Sequence, residues 1–211
     1  MTEPGGAGAP APHVDLYWIP LGARDTSGCV RWNGRLFEVA LAIREHRRPL
    51  DLYHSALVVH LGRSRHIIEM TPAWGCDVPE RGVVSQGPVG LPGLGRWRAF
   101  RYEVRCWRDG TLPDEPDAVG GPQPQPTDAA RAARLLELVA ACPTPTWGRD
   151  ELRTGDMWNA NSLISWLLAR SGHDLTGART PADGRAPGWS AGLALARRQD
   201  RVSAVGPVGV P

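Results

Sequence analysis

Two apolar runs separated by a short turn decide the fold of this chain. They are Leu52–Leu61 (LYHSALVVHL) and Arg65–Thr71 (RHIIEMT), and residues 62–64 (GRS) lie between them. Both runs are rich in residues that favour strands, and a short connection containing glycine is typical of a tight turn between antiparallel strands. The pattern therefore predicts a β-hairpin.

The length of the turn also predicts the register of this hairpin. With the turn centred on residues 62 and 63, Val58 lies opposite Ile67. Since successive strand residues point to opposite faces, His54 and Glu69 then share one face as diagonal neighbours, and the alternate face is the more apolar. A slip of one residue would separate this pair.

Outward from the hairpin, the remaining patterns separate into strands and helices. Strands are predicted before and after the hairpin, and helices are predicted mainly in the second half of the chain. Such segregation is typical of an α+β fold, here a small antiparallel sheet of four or five strands with three or four helices packed on it. The predicted strands are Val14–Pro20, Gly82–Gln86 and Ala99–Trp107, and the predicted helices are Leu36–Ile43, Ala129–Ala141, Asn161–Ser171 and Ser190–Arg198.

We expect one domain over residues 14–200. Residues 1–13 are rich in Gly, Ala and Pro and are predicted to be disordered, and residues 201–211 are predicted to fray. Residues 109–127 are rich in Pro, Gly and Asp without periodicity, which predicts an extended surface loop.

Composition argues against several function classes. A formal net charge of +2 gives no basic footprint for nucleic acid, and all 24 basic residues are Arg, which indicates a coding bias. There is no GxxxxGK[ST] phosphate loop, no signal-peptide pattern at the start, and no apolar run near the ~20 residues that span a bilayer. We expect a cytoplasmic protein without a cofactor, a nucleic-acid partner or a membrane anchor; the oligomeric state stays open.

The cysteines and histidines predict no metal site. Cys29, Cys76, Cys106 and Cys142 are widely spaced without a CxxC pair, so we expect reduced thiols. Three histidines of the hairpin region could share an ion only if their rings converged. However, His54 and His60 lie about 20 Å apart along one strand, and His66 points to the other face.

His54 is the candidate base, because it lies on a predicted strand that a helix start can approach. The alternative is a structural histidine, the more common role of a histidine within a strand. A helix N-terminus presents unpaired N–H groups and partial positive charge, which activate a nucleophile and stabilise an oxyanion. The helix predicted at Asn161 would supply this environment, with Glu69 or Asp156 orienting the histidine.

At these two places the chain resembles a known family. The run Tyr53–Val59 (YHSALVV) followed by Ile68-Glu69 is similar to the histidine strand of circularly permuted papain-like enzymes, the PPPDE and NlpC/P60-like groups. The run Asn159–Leu163 (NANSL) resembles the cysteine motif at the start of their helix. The resemblance implies a papain-like fold and a thiol peptidase or amidase ancestry.

The chain departs from the family at the nucleophile, because Ala160 stands where the resemblance places cysteine. One reading is a catalytically degenerate scaffold whose cleft binds a peptide, protein or lipid ligand through Trp158, Asn159, Ala160 and Asn161. In a second reading Ser162 is the nucleophile and His54 its base, although Ser162 and Asn161 could equally cap the helix. A third reading is an unrelated α+β binding protein.

One further segment is a candidate contact for an anionic ligand. Gly93–Arg101 (GLGRWRAFR) contains three arginines and two aromatic residues. The alternative is a solvated turn that leads into the strand starting near Ala99.

Overall fold

The computed structural model describes residues 10–23, 38–39, 41–73, 82–182 and 184–205. Within them the sheet has the strand order β4-β5-β3-β2-β1-β6, with neighbouring strands antiparallel, and a two-residue strand β7 pairs in parallel with β2. The strands are β1 His13–Pro20, β2 Asp51–Leu61, β3 Ser64–Pro72, β4 Val83–Pro88, β5 Arg101–Arg108, β6 Gln123–Gln125 and β7 Gly184–Arg185.

Three long helices follow the sheet in the second half of the chain, and residues 38–39 and 41–44 are also helical. The α+β class is therefore confirmed, while the sheet is larger than the four or five strands predicted. The extra strands β6 and β7 are three and two residues long, too short for a pattern of alternation to show. The long helices are α1 Ala129–Ala140, α2 Ala160–Arg170 and α3 Trp189–Val205.

The hairpin has the predicted register. Val58 pairs with Ile67 and Leu57 pairs with Ile68 across β2 and β3. Gly62 occupies the turn with φ 61°, a conformation that glycine adopts without steric cost. The two faces of the hairpin therefore carry the residues that the sequence assigned to them.

The sheet buries side chains on both faces. On the first face, β-strand residues such as Leu57 and Ile68 pack in one core with all three long helices. On the second face a smaller cluster contains Ala56, Val58 and Ile67. We call these the helix face and the second face of the sheet.

The Pro/Gly-rich segment 109–127 differs from a plain surface loop. Leu112 is buried in the cluster on the second face, and Ala118 packs against the same cluster. The segment also contains a 3-10 turn over Glu115–Asp117 and the strand β6. Because the segment has no regular alternation of apolar residues, its packing on the second face of the sheet was not predicted from the sequence.

The chain ends also differ from expectation where they are described. β1 begins at His13, inside the segment predicted to be disordered, and α3 continues through residues 201–205. Residues 1–9 and 206–211 lie outside the described part, as do Cys29, Cys76 and residues 36–37 and 40 of the predicted helix Leu36–Ile43. Cys106 and Cys142 are free thiols.

Candidate functional site

The start of α2 is a closed capping structure. Asn159 is the N-cap, and its side chain accepts a hydrogen bond from the backbone N–H of Ser162 at 3.2 Å. In return the Ser162 hydroxyl accepts from the backbone N–H of Asn159 at 3.1 Å. This reciprocal arrangement is a capping box, which uses the backbone N–H groups of Asn159 and Ser162.

Ser162 lacks the exposure and the free hydroxyl that a nucleophile needs. The residue is fully buried, and its hydroxyl lies 2.8 Å from the carbonyl oxygens of both Met157 and Gly188, which share its single proton. These bonds tie the start of α2 to the segment before α3. The hydroxyl therefore holds the structure together in the way that a cap does.

Asn161 joins three parts of the molecule. Its side-chain oxygen accepts from the Ser55 hydroxyl at 2.8 Å, and its amide nitrogen donates to the carbonyls of Tyr53 and Pro187, each at 2.9 Å. Both amide hydrogens of this buried side chain are thus used internally. Asn159 also donates to the Pro187 carbonyl, at 2.8 Å.

The other two residues predicted to bind substrate lie in the core. Trp158 and Ala160 are each 2 % exposed and belong to the cluster on the helix face. Ala160 occupies the position of the expected cysteine, yet its methyl group is packed by neighbours. The helix start therefore offers no open cleft among the described residues.

The structure does not bring His54 to this helix start. Tyr53 and Ser55 face α2, and alternation along β2 places His54 on the second face, opposite Ile19 of β1. His54 is half-buried, and burial lowers the pKa of its imidazole to about 4. It is neutral at pH 7 and makes no hydrogen bond to a described residue.

Neither predicted orienting carboxylate bonds to His54. Asp156 lies on the helix side, where it accepts from the backbone N–H of Gly188 at 2.8 Å and from the Ser190 hydroxyl at 2.7 Å. Glu69 shares the second face with His54 as predicted, but one of its oxygens accepts from Arg105 at 3.1 Å. The expected dyad and its orienting group are therefore not assembled.

Glu69 belongs instead to a buried ionic cluster with Arg105 and Glu103, which was not predicted from the sequence. Arg105 also donates two hydrogen bonds to one oxygen of Glu103, at 3.1 and 2.9 Å. Burial raises the pKa of Glu69, and the Arg105 guanidinium opposes that shift. The sequence contains a pattern that indicates this cluster, because Glu103 and Arg105 alternate with apolar Tyr102 and Val104 along β5 and therefore share one face of the strand.

One serine–histidine contact does occur among the described residues. Ser171 and His173 are both buried, with the hydroxyl oxygen 2.8 Å from Nδ1 of the ring. Ser171 also donates to the Leu167 carbonyl at 2.7 Å, and Nε2 of His173 lies 3.0 Å from the Thr127 hydroxyl. This pair closes the C-terminus of α2, where exposed carbonyls disfavour an oxyanion.

The two described thiols are poor nucleophiles. Burial raises the pKa of Cys106 to about 11 and also raises the pKa of Cys142. Because the thiolate is the reactive form, both remain protonated and unreactive at neutral pH.

An exposed surface lies at the other end of the sheet, after the edge strand β4. We call Leu91, Arg96, Trp97, Arg98 and Phe100 the aromatic–arginine surface; all five side chains are exposed. The Trp97 and Phe100 rings are 6.3 Å apart, and the Arg96 guanidinium lies 4.3 Å from the Trp97 ring centre. The predicted contact segment is thus at the surface, and β5 begins only at Arg101.

The backbone under this surface is held in place. Trp97 donates to the Leu94 carbonyl at 3.0 Å, and Phe100 donates to the Trp97 carbonyl at 2.9 Å. Arg101 connects the turn to β4, because its guanidinium donates to the Arg96 carbonyl at 3.0 Å and to the Gln86 side chain at 3.1 Å. The exposed aromatic rings therefore project from an ordered turn.

Comparison with known proteins gives no relative: no family model, no curated protein and no solved structure matches the chain. Of the helices described, none is long and apolar enough to cross a membrane. The structure is that of an α+β protein with an antiparallel sheet and three long helices on one face. The helix start at residues 159–162, which was predicted to form a catalytic or binding site, is capped and buried.

Proposed function

We propose that this protein is a non-catalytic binding protein that docks an acidic segment of another polypeptide on the aromatic–arginine surface. The observation that carries the proposal is the exposure of Trp97 and Phe100 beside arginine on an ordered turn. Trp and Arg are the residues that most often dominate the binding energy of protein interfaces.

The distribution of exposed apolar groups supports this location. Three of the nine large exposed apolar side chains among the described residues fall within the ten residues 91–100. Concentrated apolar exposure marks contact sites, whereas single exposed apolar residues are ordinary. The three are Leu91, Trp97 and Phe100.

Charge supports an acidic occupant. Residues 82–102 contain three arginines and no Asp or Glu, although the whole chain has a formal charge of only +2. A local positive field beside aromatic rings favours a peptide that carries Asp or Glu next to a large apolar side chain. A nucleic-acid partner is less favoured because this basic patch is small and isolated.

The ordered backbone also lowers the cost of binding. The turn is already fixed by its own hydrogen bonds and by Arg101, so little conformational entropy is lost when a partner docks. The papain-like ancestry stays a prediction from two short motifs, and a degenerate scaffold of that kind would be compatible with a binding role.

The test is a selection from a random peptide library displayed on phage against the immobilised protein. We expect enriched peptides with Asp or Glu beside Trp, Phe, Leu or Ile. Their affinity should fall about tenfold or more in Trp97→Ala and several-fold in Arg96→Gln. Ile43→Ala and Arg201→Gln are the matched controls, because they change an exposed apolar residue and an exposed arginine elsewhere.

Three results would overturn the proposal. The first is a selection that enriches no acidic peptides, and the second is a set of enriched peptides that bind Trp97→Ala as tightly as the parent protein. The third is a labelled dT20 oligonucleotide that binds at 150 mM salt more tightly than any selected peptide and loses that affinity in Trp97→Ala, which would assign the surface to single-stranded nucleic acid. Thermal unfolding of each variant verifies that the exposed substitutions leave the fold intact.

A further inference from the structure

Three potential metal ligands lie close together on the second face of the sheet, where β1 begins and β2 ends. His13 pairs directly with His60 across the two strands, and Asp15 follows His13 by two residues on the same face. The ligand atoms of the three side chains all lie within 4.8 Å of one another. The cluster is separate from the helix start and from the aromatic–arginine surface.

From this juxtaposition we infer that His13, Asp15 and His60 form a binding site for a divalent transition-metal ion of the zinc class. Two imidazoles and one carboxylate suit Zn²⁺, and three protein ligands leave a fourth position for water or another ligand.

The distances are compatible with this site after small side-chain rotations. A tetrahedral zinc ion with ligands at about 2.1 Å separates neighbouring ligand atoms by about 3.4 Å. Nε2 of His13 already lies 3.7 Å from an Asp15 oxygen. The two imidazole rings stack with centres 3.8 Å apart and planes within 15°. Because the lone pair of an imidazole nitrogen lies in the ring plane, both rings must tilt toward each other to bind one ion. From the upper bound of 4.8 Å, a ligand pair has to close by at most about 1.4 Å to reach the tetrahedral separation.

The hydrogen bonding of the cluster leaves its ligand atoms available. The Asp15 side chain is only 15 % exposed, yet its carboxylate accepts no hydrogen bond from a described residue. A half-buried carboxylate without a donor is stabilised by a cation. Neither imidazole is hydrogen-bonded to a described residue, so the ring nitrogens are not used by those residues.

Among the described residues, the Arg65 guanidinium is a positive group near His60, and its charge is offset. Arg65 pairs with His60 across β2 and β3, but its guanidinium donates to Glu115 at 2.9 Å and to the Gly110 carbonyl at 2.7 Å. The Arg65 guanidinium is therefore bound to the segment that follows β5. It leaves Asp15 as the charge that faces the two histidines.

The experiment is calorimetric titration of untagged, chelator-stripped protein with ZnCl₂ near neutral pH. We expect one equivalent of Zn²⁺ to bind. The affinity should fall about tenfold or more in His13→Gln and in Asp15→Asn, while His46→Gln, which removes an exposed histidine elsewhere, should bind as the parent does. Because His13 is at the surface, His13→Gln should retain the thermal stability of the metal-free parent protein.

Two further readouts distinguish this site from adventitious binding. Co²⁺ should give visible bands typical of a low coordination number without a thiolate charge-transfer band, and Zn²⁺ should raise the melting temperature of the parent but not of His13→Gln. The inference is overturned if no saturable one-to-one binding occurs. It is also overturned if His13→Gln and Asp15→Asn both keep the parent affinity, or if the Co²⁺ spectrum shows thiolate ligands.

Discussion

At the scale of single residues, the environment of Ser162 decides what the helix start can do. Its hydroxyl is buried and surrounded by the Met157 and Gly188 carbonyls and the Asn159 N–H. A hydroxyl with these partners contributes to folding because its removal leaves buried polar groups unsatisfied. Its role can therefore be measured as stability.

We expect Ser162→Ala to lower the free energy of unfolding by about 1–3 kcal/mol. Chemical denaturation with urea measures the change. Ser203→Ala is the matched control, since that serine is exposed on α3 and bonds only the Gln199 carbonyl; its cost should stay within about 0.5 kcal/mol. A Ser162→Ala protein as stable as the parent would contradict the capping role.

His54 gives a second prediction, on the pH dependence of stability. Burial holds the folded pKa of His54 at about 4, below the value near 6.5 expected for the unfolded chain. Between these values the unfolded state binds more protons, so stability falls as the pH falls from about 6.5 to 4. The slope contributed by His54 is at most about 1.4 kcal/mol per pH unit.

Comparison of variants isolates this contribution from that of Glu69, which shares the face, and of the other histidines. His54→Gln should flatten the decline of unfolding free energy over that window. Parallel profiles for His54→Gln and the parent protein would show that His54 titrates normally in the folded state.

At the scale of elements, α2 and α3 pack closely because glycine lies between them. A Cβ added at Gly192 would lie 2.0 Å from the Ser162 carbonyl oxygen and 2.1 Å from the Ser165 hydroxyl. These neighbours belong to a buried helix and cannot move apart without disturbing the core. The close approach also lets Ser165 donate to the Trp189 carbonyl at 2.8 Å.

Gly192→Ala should therefore cost about 3 kcal/mol or more, in spite of the better helix propensity of alanine. Thermal and urea unfolding measure the loss. Gly177→Ala is the control, because nothing lies within 4 Å of a Cβ at that position, and we expect almost no change. Equal stability of the two variants would mean that α2 and α3 are further apart.

Elements with strong local signals were predictable from the sequence. The hairpin register follows from a short turn and long apolar runs, and the capped start of α1 follows from Asp128, whose side chain accepts from the Arg131 N–H at 2.8 Å. The strands β6 and β7 were not predictable, because pairing with β1 and β2 stabilises segments too short to show a pattern.

The candidate site was predicted less well, for a physical reason. Local pattern identified Asn159–Ser162 as a helix start and His54 as a strand residue, but the contact between them depends on which face of β2 meets α2. Ser55, one residue from His54, makes that contact through Asn161. A shift of one residue along a strand reverses the face, and the greater apolarity of the alternate face, which carries Leu57 and Val59, indicated that this face and not the one with His54 would pack against the helices.

At the scale of the whole molecule, the sheet separates three chemically distinct regions. The helix face is apolar and sealed by caps, and the second face carries His54, the Glu69–Arg105–Glu103 cluster and the His13–Asp15–His60 group. The aromatic–arginine surface lies beyond the edge strand β4. A partner can bind the aromatic–arginine surface without any change in the buried helix start. We therefore propose that surface as the binding site.

The most direct test of this arrangement introduces the missing thiol as Ala160→Cys and measures its alkylation by iodoacetamide at pH 6 and pH 8. Mass spectrometry of the peptide that contains residue 160 separates the introduced thiol from the native cysteines. We expect the introduced thiol to react no faster than buried Cys142 in the folded protein, with or without His54→Ala. Rapid alkylation at pH 6 that slows when His54 is replaced would instead reveal a thiolate–imidazolium pair and would contradict the separation of the two faces.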